Sequence, residues 1–217
     1  AARIQTLYNR IDVQALQDSH LSAHVARQDL GLSTDAWVVG NVGRLHPDKD
    51  QATLLRGFAE ALPGLPANSQ LAILGIGRLE HDLKELAREL GIGDRVMFLG
   101  QVPEARLYFR AFDVFALSSD NEPFGMVLLE AMAAGVPLLA TACGGAKEVV
   151  EGVGILFPPG DAEHLAQGLQ HLAAMDEQQR RQCAELMLER LRERFSDRAV
   201  GDAFWHLPHV TELAKRG

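Results

Sequence analysis

Two glutamates frame the most informative stretch of the chain, Glu122-Pro-Phe-Gly-Met-Val-Leu-Leu-Glu130. A turn enters an apolar helix there, with one carboxylate at its mouth and the second inside. Gly125 allows the backbone to pass close to a ligand between them. A helix beginning near Gly125 leaves the N–H groups of Phe124, Gly125, Met126 and Val127 pointing out of its N-terminus. Those donors and the helix dipole together attract phosphate. Glu122 then lies beside the phosphate, and Glu130 more than one turn deeper. Carboxylates on both sides of a phosphate site suit a ligand that carries hydroxyls on both sides of its phosphates, as a nucleotide sugar does. A capped amphipathic helix with solvated glutamates is the plainer alternative. Against it, Glu130 runs into the almost wholly apolar Ala131-Met-Ala-Ala-Gly-Val-Pro-Leu-Leu-Ala140, where a carboxylate needs a partner to offset its desolvation.

Arg44 and Lys49 occupy the polar loop Gly43-Arg-Leu-His-Pro-Asp-Lys-Asp50. A planar guanidinium and a flexible ammonium converging on one point bind the two phosphates of a diphosphate. Their convergence requires the loop to turn, and Pro47-Asp48 supplies the turn; two solvated loop charges are the alternative. His46 reads as a surface residue. Gly75-Ile-Gly77 lacks the third glycine of a dinucleotide fingerprint, since Glu80 stands in its place, so an NAD role has little support. A tight strand-to-helix turn explains those glycines, with close ligand approach at Gly75 as the functional option. No Asp-x-Asp pair stands near Asp113 or Asp120 to bridge a diphosphate through a metal, and no Gly-x-Ser-x-Gly suggests a hydrolase elbow. A diphosphate here has to be neutralised by Arg44, Lys49 and the helix end. No metal and no cofactor are expected.

These residues need a frame, and the periodicity provides one. Short apolar runs, among them Trp37–Val42, Leu71–Leu74, Arg95–Leu99, Val114–Leu117, Val136–Ala140 and Gly154–Phe157, alternate with amphipathic segments of about ten residues. That alternation predicts an α/β fold: a Rossmann-like, doubly wound parallel sheet over about 33–157, with a helical C-terminal tail over 161–217. Ligands of such sheets sit beyond the carboxyl ends of the strands. The loops at Gly43, Gly75, Gly100–Val102, Ser118–Gly125 and Thr141–Gly145 all fall there. The tail arginines Arg180, Arg181, Arg190, Arg192, Arg194 and Arg198 are interleaved with glutamates, which predicts a solvated helix laced with ion pairs.

The 217 residues are 47% hydrophobic, enough for one large domain. A formal charge of −8 argues against broad nucleic-acid binding, though not against a nucleotide in a local basic pocket. Cys143 and Cys183 form neither a disulfide framework nor a zinc spacing, which fits a reducing cytoplasm. With no bilayer-spanning apolar run and no signal-peptide pattern read, a cytoplasmic location is expected. Peripheral contact with the inner face of the membrane stays open for a longer protein. The opening Ala1–Asp12 does not begin with Met and reads as part of something already under way, so a fragment is expected.

Taken together, the order and spacing of these elements resemble the C-terminal, donor-binding domain of the retaining GT-B glycosyltransferases of family 4. The likeness rests on Val42-Gly-Arg-Leu45 with Lys49, Leu74-Gly-Ile-Gly77, Arg95–Gly100, and Glu122-Pro-Phe-Gly…Glu130–Pro137. Gly144-Gly145…Glu148-Val149-Val150, Gly154–Gly160 and Arg194-Phe-Ser196 complete it, from about Tyr8 onward. The resemblance implies that Arg44 and Lys49 hold the donor diphosphate and stabilise it as it leaves. It implies that Glu122 lies next to the donor sugar and that Glu130 holds the ribose hydroxyls. Phe124, Gly125, Met126 and Val127 would offer backbone groups to sugar and phosphate. Gly43 and Gly75 would line the donor loops, with Val102 and Arg106 where the nucleobase is held. It further implies a UDP-sugar or GDP-sugar donor and a glycan or lipid-linked acceptor, bound by an N-terminal domain that this chain lacks. The expected setting is cell-envelope polysaccharide or lipopolysaccharide assembly, with the fragment inactive alone. Two further readings are a glycogen- or sucrose-synthase-like transferase and a non-catalytic nucleotide-sugar or dinucleotide-binding module.

Overall fold

Six short strands, β1 (Val38–Val42), β2 (Gln70–Leu74), β3 (Val96–Gly100), β4 (Val114–Leu117), β5 (Leu138–Thr141) and β6 (Ile155–Phe157), pair into one sheet. All five pairings are parallel, in the order β3-β2-β1-β4-β5-β6. This is the computed structural model of the chain, and it describes residues 7–207. Readings that fall on 1–6 and on 208–217 lie outside the described residues.

Strand alternation divides the core into two faces. Val38, Ala72, Leu74, Phe115, Leu117, Leu138 and Ala140 point to one side, whereas Val39, Leu71, Ile73, Val114, Ala116 and Leu139 point to the other. Because both faces are covered by helices, the strands read as continuous apolar runs instead of an apolar–polar alternation. The face holding Val39 packs against three helices: α3 (Gln51–Ala61), α4 (Glu80–Glu89) and α7 (Ala162–Ala173). The opposite face takes α1 (Val13–Ser19), α2 (Ala23–Asp29), α5 (Met126–Ala134), α6 (Gly144–Val150) and α8 (Glu177–Arg190), and α9 (Asp197–Trp205) follows.

Helix α5 is central on that face. Leu128, Leu129, Ala131, Met132 and Ala133 are all buried, which explains why its sequence is apolar apart from Glu130. Left-handed glycines close it at both ends, Gly125 at φ 89° and Gly135 at φ 74°. The strand order reverses between β1 and β4, the two strands whose following loops carry Lys49 and Glu122. That crevice is where such sheets bind ligands.

In three places the chain departs from the periodicity reading. Helices α1 and α2 precede the sheet and belong to its core; Arg27 of α2 donates to Ala111 O at 2.9 Å and pairs with Asp113 at 2.7 Å. Asp113 also accepts from Val38 N at 2.7 Å, so one carboxylate fastens α2 to the start of β1. The β3-to-β4 crossover is a 3₁₀ run, Ala105–Ala111, and not an α-helix. The tail is divided, with a wide π turn at Leu191–Phe195 separating α8 from α9.

Candidate functional site

The loop after β1 folds into a single 3₁₀ turn at Pro47–Lys49. Asp50 then adopts a left-handed conformation at φ 40° and accepts from Thr53 N, capping α3. For a non-glycine residue that backbone is strained, and such strain gathers at functional loops. The turn delivers Lys49 across the switch point. Its Nζ lies 2.6 Å from Glu122 Oε2, with both side chains largely buried. Ser119 Oγ donates to the same oxygen at 3.4 Å, Ser118 Oγ to Lys49 O at 2.9 Å, and Asp120 N to Asp48 O at 3.1 Å. The loops after β1 and β4 are therefore stitched into one unit.

Arg44 does not join Lys49. Its exposed guanidinium turns to Asp48 at 3.6 Å, so each cation takes a carboxylate of its own and the expected convergence is absent. Asp48, read from the sequence only as a turn residue, is the charge partner, and it also holds His46 Nδ1 at 2.5 Å. Burial works against the Asp48 carboxylate, but His46, Lys49 and Arg44 outweigh it and keep its pKa below the usual value. Arg44 lines a cavity of about 340 Å³ together with Gly43, Gly75 and Val102, closed by Val42, Leu74, Ile76, Gln101 and Ala105.

Gly75 serves backbone packing. At φ 143°, a Cβ there would stand 1.9 Å from Gly43 O, and one on Gly77 would stand 2.2 Å from Leu45 O. Gly43 N donates to Leu74 O at 2.9 Å, Leu45 N to Ile76 O at 3.0 Å and Gly75 N to Gly100 O at 2.7 Å. Three strand-end loops thus stack main chain against main chain. The same device supports Glu122: a Cβ on Gly144 would meet Glu122 O at 2.2 Å, and one on Gly145 would meet Pro123 O at 2.5 Å. Gly145 N donates to Glu122 O at 3.0 Å, while Thr141 Oγ1 and Cys143 Sγ donate to Ser119 O at 2.5 and 3.1 Å. The residues 141–145 form the floor of the Glu122 loop.

Beyond Glu122 the chain turns at Gly125 into α5, whose first closing bond runs from Leu128 N to Gly125 O at 2.9 Å. The N–H groups of Gly125, Met126 and Val127 precede that bond at the positive end of a helix buried among apolar neighbours. Phe124 packs its ring against Tyr8 and Phe195. Glu130 lies deeper, in a second cavity of about 410 Å³ shared with Met126, Arg106, Arg10, Asp12 and Ser19. Burial pushes its pKa up, the Arg106 charge opposes that, and Glu104 adds to it. The Arg106 guanidinium is itself bonded to Glu104 at 2.9 Å. Val102 and Arg106 thus line two different cavities at one end of the sheet. A larger hollow, about 780 Å³, lies between Leu7–Arg10 and Val200–Trp205 and shares Arg10 and Met126 with the Glu130 cavity. The Lys49–Glu122 pair and the α5 end, and not volume, mark the candidate site.

Among the described residues, no group of three or more His, Cys, Asp or Glu side chains could hold a metal ion. No helix there is long and apolar enough to cross a membrane.

Comparison with known proteins places this geometry in context. Residues 23–186 match the family described as glycosyl transferases group 1. The chain is 36% identical over 185 residues to the lipopolysaccharide core biosynthesis glycosyltransferase LpsE of Rhizobium meliloti, covering 84% of this chain and 53% of that protein. It is 37% identical over 176 residues to a D-inositol 3-phosphate glycosyltransferase of Mycobacteroides abscessus, covering 79% of this chain and 39% of the relative. Among solved structures, Anabaena Alr3699/HepE in complex with UDP and glucose superposes with a TM-score of 0.79 at 28% identity, over 94% of this chain and 57% of that one. The chain spans about half the length of LpsE and of HepE, and less of the D-inositol 3-phosphate glycosyltransferase.

Proposed function

The chain belongs to the glycosyl transferases group 1 family, and from that premise we propose that it is the donor-binding half of a retaining, metal-independent glycosyltransferase. The donor is a nucleoside diphosphate sugar carrying UDP or GDP. The observation that carries the reading is the joining of the β1 and β4 loops through Lys49 and Glu122, directly before the α5 N-terminus. A diphosphate over that end meets N–H donors, a helix dipole and the Lys49 ammonium, with Arg44 drawn to it from Asp48.

The roles follow from where charge moves. As the bond from the anomeric carbon to the phosphate oxygen breaks, its electron pair goes to that oxygen. Lys49, Arg44 and the α5 donors stabilise the developing charge more than they stabilise the ground state. Bound phosphate competes with Glu122 for Lys49 and frees the carboxylate to accept sugar hydroxyls. Glu130 accepts from the ribose, and the cavity bounded by Gly43, Gly75 and Val102 receives the base. The acceptor side belongs to the part of the protein outside this chain, so this piece binds donor without transferring sugar.

LpsE, named for lipopolysaccharide core biosynthesis and 36% identical, supports a lipopolysaccharide-type acceptor; on this reading the reaction runs in the cytoplasm or at the inner membrane face. The D-inositol 3-phosphate glycosyltransferase at 37% identity favours a second reading, a small soluble acceptor for the same donor site. Calorimetry with UDP, GDP and their glucose conjugates, with and without EDTA, tests the proposal. Micromolar binding that survives chelation is expected. Binding that vanishes with EDTA removes the metal-independent mechanism, and no binding of any nucleotide removes the donor-site assignment.

A further inference from the structure

We infer that Tyr8 is a positioning residue for the loop Glu122–Gly125, held to it by two separate routes. The first route is the ring. Tyr8 lies 6.1 Å from Phe124 and 5.2 Å from Phe195, and Phe124 and Phe195 are 5.8 Å apart. These separations lie in the range where aromatic pairs attract. The second route is the hydroxyl, which donates to Glu148 Oε2 at 2.8 Å and accepts from Arg194 at 2.9 Å. Glu148 stands on α6, and the opening glycines of α6 press on the backbone of Glu122 and Pro123. Tyr8 therefore reaches one side of the loop through Phe124 and the other through α6.

The second partner comes from the opposite end of the described chain. The π turn ending α8 brings Arg194 over the Tyr8 ring at 5.2 Å and over Phe195 at 5.6 Å. It also buries Phe195, whose carbonyl accepts from Ile11 N at 2.9 Å. A wide turn inserts an extra residue and swings the side chains that follow it, a feature common at functional positions. The segment entering the fold and the segment leaving the sheet thus meet on the residue that precedes Gly125. Neither segment is part of the sheet edge, yet both set where the α5 N-terminus opens.

The consequence for ligand binding rests on the donor-site reading above, while the positioning itself can be measured without a ligand. Amide hydrogen exchange is compared in the wild-type chain, Tyr8→Phe, Tyr8→Leu and Leu83→Ala. Leu83 is buried on the opposite face of the sheet and serves as a control for lost stability alone. Tyr8→Phe keeps the ring and loses both hydroxyl bonds, and about threefold faster exchange at 122–127 is expected; Tyr8→Leu loses both routes, and about tenfold is expected. UDP affinity falls by the same order in each variant, whereas Leu83→Ala lowers the melting temperature without singling out 122–127. Exchange at 122–127 that stays at the wild-type rate in both Tyr8 variants, or that rises equally in Leu83→Ala, overturns the inference. If the wild-type chain binds no nucleotide, the donor reading fails and the exchange comparison alone decides the role of Tyr8.

Discussion

Lys49 Nζ sits 2.6 Å from Glu122 Oε2, and this contact joins two loops that follow non-consecutive strands of the sheet. Both groups are largely out of water, so the pair is fully felt only when it is intact. In the ligand-free chain it neutralises two charges that the proposed reaction would use separately.

Removing either partner leaves the other charge buried. Lys49→Met and Glu122→Gln are each expected to lower stability by about 1–3 kcal/mol, and the double variant by clearly less than the sum. Urea denaturation of the four proteins closes the cycle; strict additivity would show that the contact has no energetic weight. In the full-length enzyme, Lys49→Ala and Arg44→Ala are expected to reduce kcat on the order of 10²-fold, with a smaller effect on donor affinity. Wild-type kcat in both would make them ordinary loop charges.

Glu130 carries an opposite balance of stability and function. Burial raises its pKa above the ordinary carboxylate value of 4.5. A raised folded pKa gives stability that is present below the unfolded value and lost as pH rises through the folded one. At neutral pH the ionised carboxylate is therefore a cost in the ligand-free protein. Glu130→Gln is expected to raise the melting temperature at pH 7.5, with the gain over wild type shrinking toward pH 4. The same substitution removes the charged acceptor proposed for the ribose hydroxyls, worth about 1.5–3 kcal/mol, so plain UDP or GDP should bind about ten- to hundredfold more weakly. Glu122→Gln should keep plain-nucleotide affinity and lose affinity for the sugar conjugate. The reverse pattern would turn the donor around in the site.

His20 gives the fold an acid limit. It is buried, neither ring nitrogen has a hydrogen-bond partner, and burial together with Arg110 lowers its pKa from 6.5 to about 4. Between those values the unfolded chain binds a proton that the folded chain does not, so stability falls as pH drops from about 6.5 toward 4. The loss attributable to this group is on the order of 2 kcal/mol. Comparing urea midpoints at pH 7 and pH 4.5 in wild type and His20→Leu isolates it, and an equal fall in both proteins would sink the assignment.

The sequence carried the site unevenly. The glycines at 125 and 135, the strand-end loops and the apolar run of α5 were legible because each is a local pattern with a local cause. The partner of Lys49 was not, since it lies 73 residues away and is chosen by the strand order. Sequence spacing favoured Arg44 and Lys49 as a pair, but Asp48 stands between them and takes the guanidinium. The Gly144–Gly145 floor left only a weak trace, two adjacent glycines after a strand. Tyr8 left none, because its four partners are spread along the chain at positions 124, 148, 194 and 195. The tail arginines divide in the same way: Arg181 and Arg198 pair with carboxylates of their own helices, whereas Arg190 donates to Glu151 O and Arg194 to Tyr8.

The stacked loops at Gly43, Gly75 and Gly100 separate geometry from selectivity. Their mutual position is set by main-chain hydrogen bonds and by the missing Cβ of Gly75. The side chains at 44, 76, 101 and 102 face the cavity from a frame they do not build. Exchanging those four alters what the hollow prefers while its walls stay where they are, whereas a single methyl group at position 75 moves every wall at once. One scaffold can therefore be retuned to a different ligand by surface-like substitutions, with the hazard to folding concentrated in its glycines.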